Sequence, residues 1–504
     1  MYSTYHQQWR RKFLRQGNRP ASSSLTHRAD ICAFFNGPEG PYRAPMRFIT
    51  KTGELISDVQ LGWSTSMKIA SILGILLLSL APACSRRSLH EPLTVTFLDV
   101  EWDAPDKLTG LAQDLQEFTR ETGIRVKRLL RPEGSLNQLA LWRELLQRGT
   151  VTPDVCGIDV IWSGTLNQYL MDLKPYFATE ISSQYPVVVA NYTVGDKLVA
   201  IPRHAYVGVL LYRTDLLRRY GYRKPPKTWD ELETMASRIQ AGERAKGEKD
   251  FWGYVWQGAI GEDLTCSGLE WQVGEGGGRI IEDDKTISVN NPQVIRTWQR
   301  AARWVGSISP PGVVAYGKSD ADNLWFSGKT AFHRAWVSDY SLITSHPPPA
   351  NATQFGVTSV PGGRAGQVGT LGGNGLAISR TSAHPHEALE LIRFLLHRDI
   401  QLLCGGDDSA PPKELELYEL PAILDPYPQT AKLGRNLGGV VARPSIAAGQ
   451  KYEDVSRAYI RELHSVLTGE KKPSVAVADL ERELVEITGF RKGPAPERDW
   501  WSRE

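Results

Sequence analysis

The chain has 504 residues, with 59 Lys and Arg against 56 Asp and Glu and a formal net charge of +3. Its basic residues are dispersed through the body of the chain, which excludes the basic stripe of a nucleic-acid binder. Five cysteines are too few for a disulfide framework, and none has the C-x-x-C spacing of a metal or redox site.

Residues 1–66 cluster Arg10, Arg11, Arg15 and Arg19 among scattered Pro, Gly and Ser, with no apolar period of 2 or 3.6. They read as a non-native or disordered upstream extension. The alternative is a basic cytoplasmic tail before an uncleaved anchor, in keeping with the positive-inside tendency. Met67-Lys68 then opens an almost wholly apolar run that ends in Ala81-Pro82-Ala83-Cys84. At about 15 residues this run is shorter than the roughly 20 needed to span a bilayer. A cation, an apolar stretch and small residues before a cysteine make 67–83 a secretory signal peptide. Cys84 resembles the lipidated cysteine of bacterial lipoproteins, although Ala81 stands where that motif usually has Leu. Ala81-x-Ala83 also suits ordinary cleavage and free secretion into the periplasm. The expectation is a lipid at Cys84, a tether over 84–91 and a mature chain of about 420 residues, enough for two domains.

The run 93–98 is β-rich, and helix-period residues Leu108, Leu111, Leu115 and Phe118 follow, closed by Gly123. A second strand over 124–130, a helix over 136–147 and a third strand over 153–162 continue the alternation. This order predicts an α/β fold with a mostly parallel sheet. Thr228 and Glu231 form a capping box after Pro225-Pro226. Asn291-Pro292 supplies an N-cap and N1 pair for a helix whose stripe is Val294, Ile295, Trp298, Ala302 and Val305. A third helix is expected over 320–326, ending at Gly328. The proline run at 346–350 is a rigid linker, and strand-like patterning resumes over 353–379.

Motifs for catalysis are scarce. Gly328-Lys329-Thr330 follows a helix and has Asn323 where a phosphate loop needs Gly, so it reads as a helix end. Gly274-Glu-Gly-Gly-Gly278 reads as a turn, and His384-Pro-His386 as a helix entrance. Cys156, Cys266 and Cys404 read as small buried hydrophobes. No cofactor, metal or catalytic set is expected. The notable surplus is aromatic: 15 tryptophans, with Trp102, Trp162, Trp252, Trp256, Trp271 and Trp336 at strand ends or in loops. Indole faces beside Asp or Arg suit sugar rings, while each Trp taken singly is an ordinary core residue.

Several blocks are similar to the extracellular solute-binding proteins of carbohydrate ABC transporters, in the trehalose- and maltose-binding lipoprotein branch. They are Pro153-Asp-Val with Asp159-Val-Ile-Trp162, Tyr212-Arg-Thr-Asp-Leu-Leu217, Pro225-Pro-Lys-Thr-Trp-Asp-Glu-Leu232, Phe251-Trp-Gly-Tyr-Val-Trp-Gln-Gly258, Phe326-Ser-Gly-Lys-Thr-Ala-Phe332, Thr370-Leu-Gly-Gly373 and Arg443-Pro444. The resemblance implies a two-lobed periplasmic-binding-protein fold, with discontinuous lobes joined by a multi-segment hinge and closing on ligand. Lobe one is drawn as 92–202 plus 352–402, lobe two as 203–351 plus 403–490, and 491–504 as a tail. It implies a monomer that is not an enzyme, with a saccharide as ligand and ABC permease subunits with a cytoplasmic ATPase as partners.

The resemblance also assigns site residues. Asp159 matches an Asp that contacts sugar hydroxyls, and Trp162 closes its segment. Trp336 matches a ring-stacking Trp, with Ser338 in place of a second aromatic. Arg443 matches an Arg preceding a proline. Elsewhere the pattern departs: Arg203, His204 and Tyr206 occupy a segment that loses a sugar-binding Asp, and Gly372-Gly373-Asn374 loses a stacking Trp. An unreplaced hydroxyl partner costs on the order of 1–3 kcal/mol, so specificity is expected to be altered. Tyr206 offers a new phenol, while Arg203 and His204 favour a charged or modified sugar. The competing readings are a non-sugar solute such as a glycerophosphodiester, or an exported glycosidase with two carboxylates about 5 to 10 Å apart.

Overall fold

The computed structural model describes residues 93–100, 110–129, 135–148, 153–182, 184–337, 355–405 and 439–498. The export segment, Cys84, Trp102, Ser338 and the proline run at 346–350 lie outside the described residues. β1 (Thr94–Leu98), β2 (Arg125–Arg128) and β3 (Val155–Asp159) are separated by the helices Gly110–Thr122 and Ser135–Arg148. They run parallel in the order β2-β1-β3. Leu111, Leu115 and Phe118 of the expected stripe are buried against them.

The long strand β6 (Ile201–Arg213), which follows the hairpin of β4 (Thr193–Val194) and β5 (Lys197–Leu198), joins the two halves of the fold. Residues 201–207 pair with β10 (Gly369–Ile378), whose far edge pairs with β3. Residues 208–213 pair instead with β8 (Thr330–Trp336) and β9 (Phe355–Ser359). β7 (Trp252–Val255) lies beside β8, and β11 (Val440–Val441) beside the start of β10. The boundary drawn at 202/203 therefore falls inside one continuous strand. Phe355–Ser359, grouped by the sequence with 92–202, lies beside Val209–Arg213.

The sheet is mixed rather than mostly parallel, since β10 is antiparallel to β3 and β6, and β6 to β8 and β9. Helix-separated neighbours give the parallel pairs. The antiparallel ones come from strands that return after long excursions, which local patterning does not register.

The caps are those the sequence encodes. Thr228 Oγ1 accepts from Glu231 N at 3.2 Å, and Glu231 Oε2 accepts from Thr228 N at 3.2 Å, opening the helix Trp229–Ala245. Asn291 Oδ1 accepts from Gln293 N and Val294 N at 3.0 and 3.1 Å, opening Pro292–Trp304. Within that helix Val294 and Trp298 are fully buried, with Ile295 and Ala302 at the edge of the core; Val305, just beyond its end, packs there too. Gly328, at φ +74°, ends the run after Lys318–Phe326 and leads into β8, so the Gly-Lys-Thr tripeptide is a helix end. The turn after Gly274 and the helix Pro385–Gly405 also fall where expected.

Among the described residues, most tryptophans pack the interior. Trp142, Trp162, Trp229, Trp256, Trp271 and Trp298 are essentially inaccessible. Trp271 meets Trp256 and Trp304 edge-on, with ring centroids 5.0 and 5.5 Å apart. Trp252 lies beneath the Arg244 guanidinium at 4.3 Å. Cys156 and Cys266 are free and buried, and burial pushes each thiol up to about 12, which suits inert hydrophobes.

Candidate functional site

Three adjacent strands set the site. Asn374 of β10 stands opposite both Asp159 at the end of β3 and His204 of β6, which puts the three in one row. Gly372 stands opposite Tyr206, and the His204 and Tyr206 rings stack with centroids 6.0 Å apart. The register shifts between Asn374 and Gly375, so Arg203 has no residue opposite it in β10. Such bulges re-aim a side chain. Arg203 directs Nη1 to Asp99 Oδ2 at 3.3 Å, and both side chains are buried.

The two glycines are required by close approach. A Cβ at Gly372 would lie 2.8 Å from the Trp336 ring, and Gly373, at φ +128°, presses on the His204 carbonyl. Trp336 is half-buried at the end of β8, with the Arg334 guanidinium 4.2 Å from its ring centroid. Trp162, by contrast, is in the core, edge-on to Trp142 at 5.6 Å.

Arg443 joins this row to the helix Glu262–Gly274. Its Nη1 donates to Glu262 Oε1 at 3.0 Å and its Nη2 to the Leu371 carbonyl at 3.2 Å, with Asp159 Oδ1 4.0 Å away. Glu262 also accepts from Ser456 Oγ at 2.6 Å and from the Tyr452 hydroxyl. Asp159 receives the Ile161 N–H at 3.1 Å. Lost hydration nevertheless raises its carboxyl above the ordinary aspartate range, against the pull of Arg443. Burial likewise pushes the Tyr192 phenol upward, reinforced by the Asp159 charge.

Beyond β3, the helix Ser163–Leu166 meets the helix Ser445–Ala448 backbone to backbone. A Cβ at Gly164 would stand 2.2 Å from the Ser445 carbonyl oxygen, and Thr165 Oγ1 donates to the Gly449 carbonyl at 3.2 Å. Gly164→Ala is therefore expected to destabilise the protein by about 1–3 kcal/mol, as overpacking does. Urea unfolding checks this, and an unchanged midpoint would show that the two segments separate freely.

The structure thus brings together Asp159, His204, Tyr206, Gly372, Gly373, Asn374 and Arg443, with Trp336 against Gly372. It turns Arg203 to Asp99 and Trp162 to the core. Sequence reasoning did not single out Tyr192, whose phenol feels the Asp159 charge, nor Glu262, Tyr452 and Ser456, which gather around Arg443. Only the Glu262-Asp263 pair, acidic at a helix start, left a readable signal.

Two α/β lobes sharing a strand, with carboxylate, amide, phenol and indole groups where they meet, define a two-lobed receptor for a solute. The chain belongs to the bacterial extracellular solute-binding protein family, whose model matches residues 103–401. It is 40% identical over 374 residues to a probable ABC transporter-binding protein of Deinococcus radiodurans, covering 74% of this chain and 89% of the other. Among solved structures, maltose-bound MalE3 of T. maritima is 29% identical, with a TM-score of 0.70 over 78% of this chain and 100% of that one. The GacH receptor of Streptomyces glaucescens, solved unliganded and with acarbose, has the same fold: TM-score 0.68 at 22% identity, over 79% of this chain and 99% of its own.

Proposed function

We propose that this protein captures a neutral carbohydrate or polyol between its lobes and delivers it to an ABC permease driven by a cytoplasmic ATPase. The observation that carries the reading is the state, among the described residues, of the arginines beside the site. Arg203 is held by Asp99, Arg334 by Glu270 and Arg443 by Glu262. A phosphodiester needs an uncommitted cation, and the residue that suggested one, Arg203, is already paired. Asp159 then serves ligand hydroxyls together with the ring of His204, the phenol of Tyr206, the amide of Asn374 and the indole of Trp336. The maltose in the T. maritima relative supports this class.

The strand pairing supports lobes that exchange at 207/208 within β6, with β1–β3 and β10 on one side and β7–β9 on the other. The receptor acts as a monomer and makes or breaks no bond, so a chromogenic glycoside is expected to turn over only at background. Calorimetric titration with maltose, trehalose, ribitol, D-mannitol and glycerophosphocholine tests the reading. Heat from a neutral member is expected, and a response confined to the phosphodiester would overturn it.

Cys84 is the proposed lipid anchor, which would keep the receptor beside its permease at the membrane. Labelled palmitate is expected to enter the wild-type chain and to be absent from Cys84→Ser. Equal labelling of both would place the anchor elsewhere.

A further inference from the structure

Four polar side-chain atoms on the segments flanking the site are buried without a hydrogen-bond partner: Tyr192 OH, close enough to feel the Asp159 charge, Ser163 Oγ, Ser445 Oγ and Arg443 Nε. Native proteins rarely leave such groups unpaired, and a cluster of them calls for an explanation. Tyr192, Ser163 and Ser445 are each at most 1% exposed. They belong to three segments that meet. Ser163 opens the short helix after β3, just past the turn in which Trp162 N bonds the Asp159 carbonyl at 2.9 Å. Ser445 follows Arg443 and presses its carbonyl on Gly164. The Tyr192 ring packs on Gly375, next to Asn374, where a Cβ would lie 2.9 Å from the ring.

We infer that Tyr192, Ser163 and Ser445 form a subsite for the most deeply held hydroxyls of the ligand, with Tyr192 as its specificity-determining residue. The donor and acceptor inventory selects the guest. The three protein hydroxyls both donate and accept, Arg443 Nε only donates, and the Asp159 carboxylate only accepts. A sugar or polyol hydroxyl satisfies either kind of neighbour. A phosphate oxygen only accepts and would meet Asp159, whereas an ammonium only donates and would meet Arg443. A methyl group would leave every one of these atoms unpaired.

This inference rests on the carbohydrate reading, and its test separates the two. Maltose and D-mannitol are titrated into the full chain and its Tyr192→Phe and Ser445→Ala variants, and thermal unfolding is followed without ligand. Tyr192→Phe is expected to weaken binding by about 5- to 100-fold while leaving the ligand-free Tm unchanged or higher, since the hydroxyl has no protein partner to lose. Affinities within twofold of wild type in both variants would overturn the subsite and spare the carbohydrate reading. So would a ligand-free Tm lowered by several degrees in Tyr192→Phe, because the hydroxyl would then be bonded within the fold or to an ordered water. A wild-type chain that answers no saccharide or polyol overturns the carbohydrate reading and this subsite with it.

Discussion

Replacing Glu270 with alanine is expected to lower the free energy of unfolding by about 3–5 kcal/mol, the cost of stranding a buried charge. Glu270 and Arg334 are both fully buried. Arg334 Nη2 donates to Oε1 at 2.6 Å and Nε to Oε2 at 3.1 Å, a bidentate pair. Thr370 N adds a third bond to Oε1 at 3.1 Å, so one carboxylate on the helix Glu262–Gly274 ties β8 to β10. Burial opposes the Arg334 charge, but Glu270 outweighs it and holds the guanidinium above its ordinary pKa. A raised cation stabilises the fold at every pH below its unfolded value. The loss in Glu270→Ala is therefore expected to be flat from pH 5 to 9. Pairing Glu270→Leu with Arg334→Met is expected to recover most of it, because no charge is left unpaired. Urea unfolding measures both, and a single-variant loss under about 1 kcal/mol would mean that Arg334 finds another partner.

Asp159→Asn is expected to weaken ligand binding by about 10- to 100-fold, the range for a hydrogen bond to a charged group. It is expected at the same time to stabilise the ligand-free protein at neutral pH. The sign follows from the raised carboxyl, whose ionisation is resisted by lost hydration despite Arg443. Protonated Asp159 is favoured in the fold, so its contribution is present at acid pH and is lost as pH rises through the folded value. The advantage of the amide variant over wild type should grow from pH 3 to pH 7 and then level off. Calorimetry and urea midpoints at those two pH values check the pair of effects. Lower stability at pH 7 would mean that Asp159 is held mainly by Arg443 as a structural ion pair.

Local signals in the sequence reached the local structure. The Thr228–Glu231 box, the Asn291-Pro292 start and the strand–helix alternation from 93 to 162 are short-range patterns, and the fold keeps them. What the sequence hid is long-range. Nothing in residues 201–213 says that their first half pairs with β10 and their second with β8 and β9. Motif matching placed Arg203 near the ligand, yet Asp99, far away in the chain, takes its charge. Trp162 carried a family position and still serves the core, because burial of an indole is decided by neighbours on other strands. Tyr192, Ser163 and Ser445 have no motif at all, and their role emerges only once three distant segments are brought together around Asp159.

The strand β6 has a consequence for how the protein comes to exist. Its partners on either side, Leu371 opposite Val207 and Phe355 opposite Arg213, are made long after it. Neither half of the sheet closes until most of the polypeptide has been synthesised. Pairing at such separations in sequence is slow, since the closure entropy is lost before contacts repay it. Both halves of the sheet are therefore expected to stay open until β9 and β10 have been made, so that the two lobes acquire their form together.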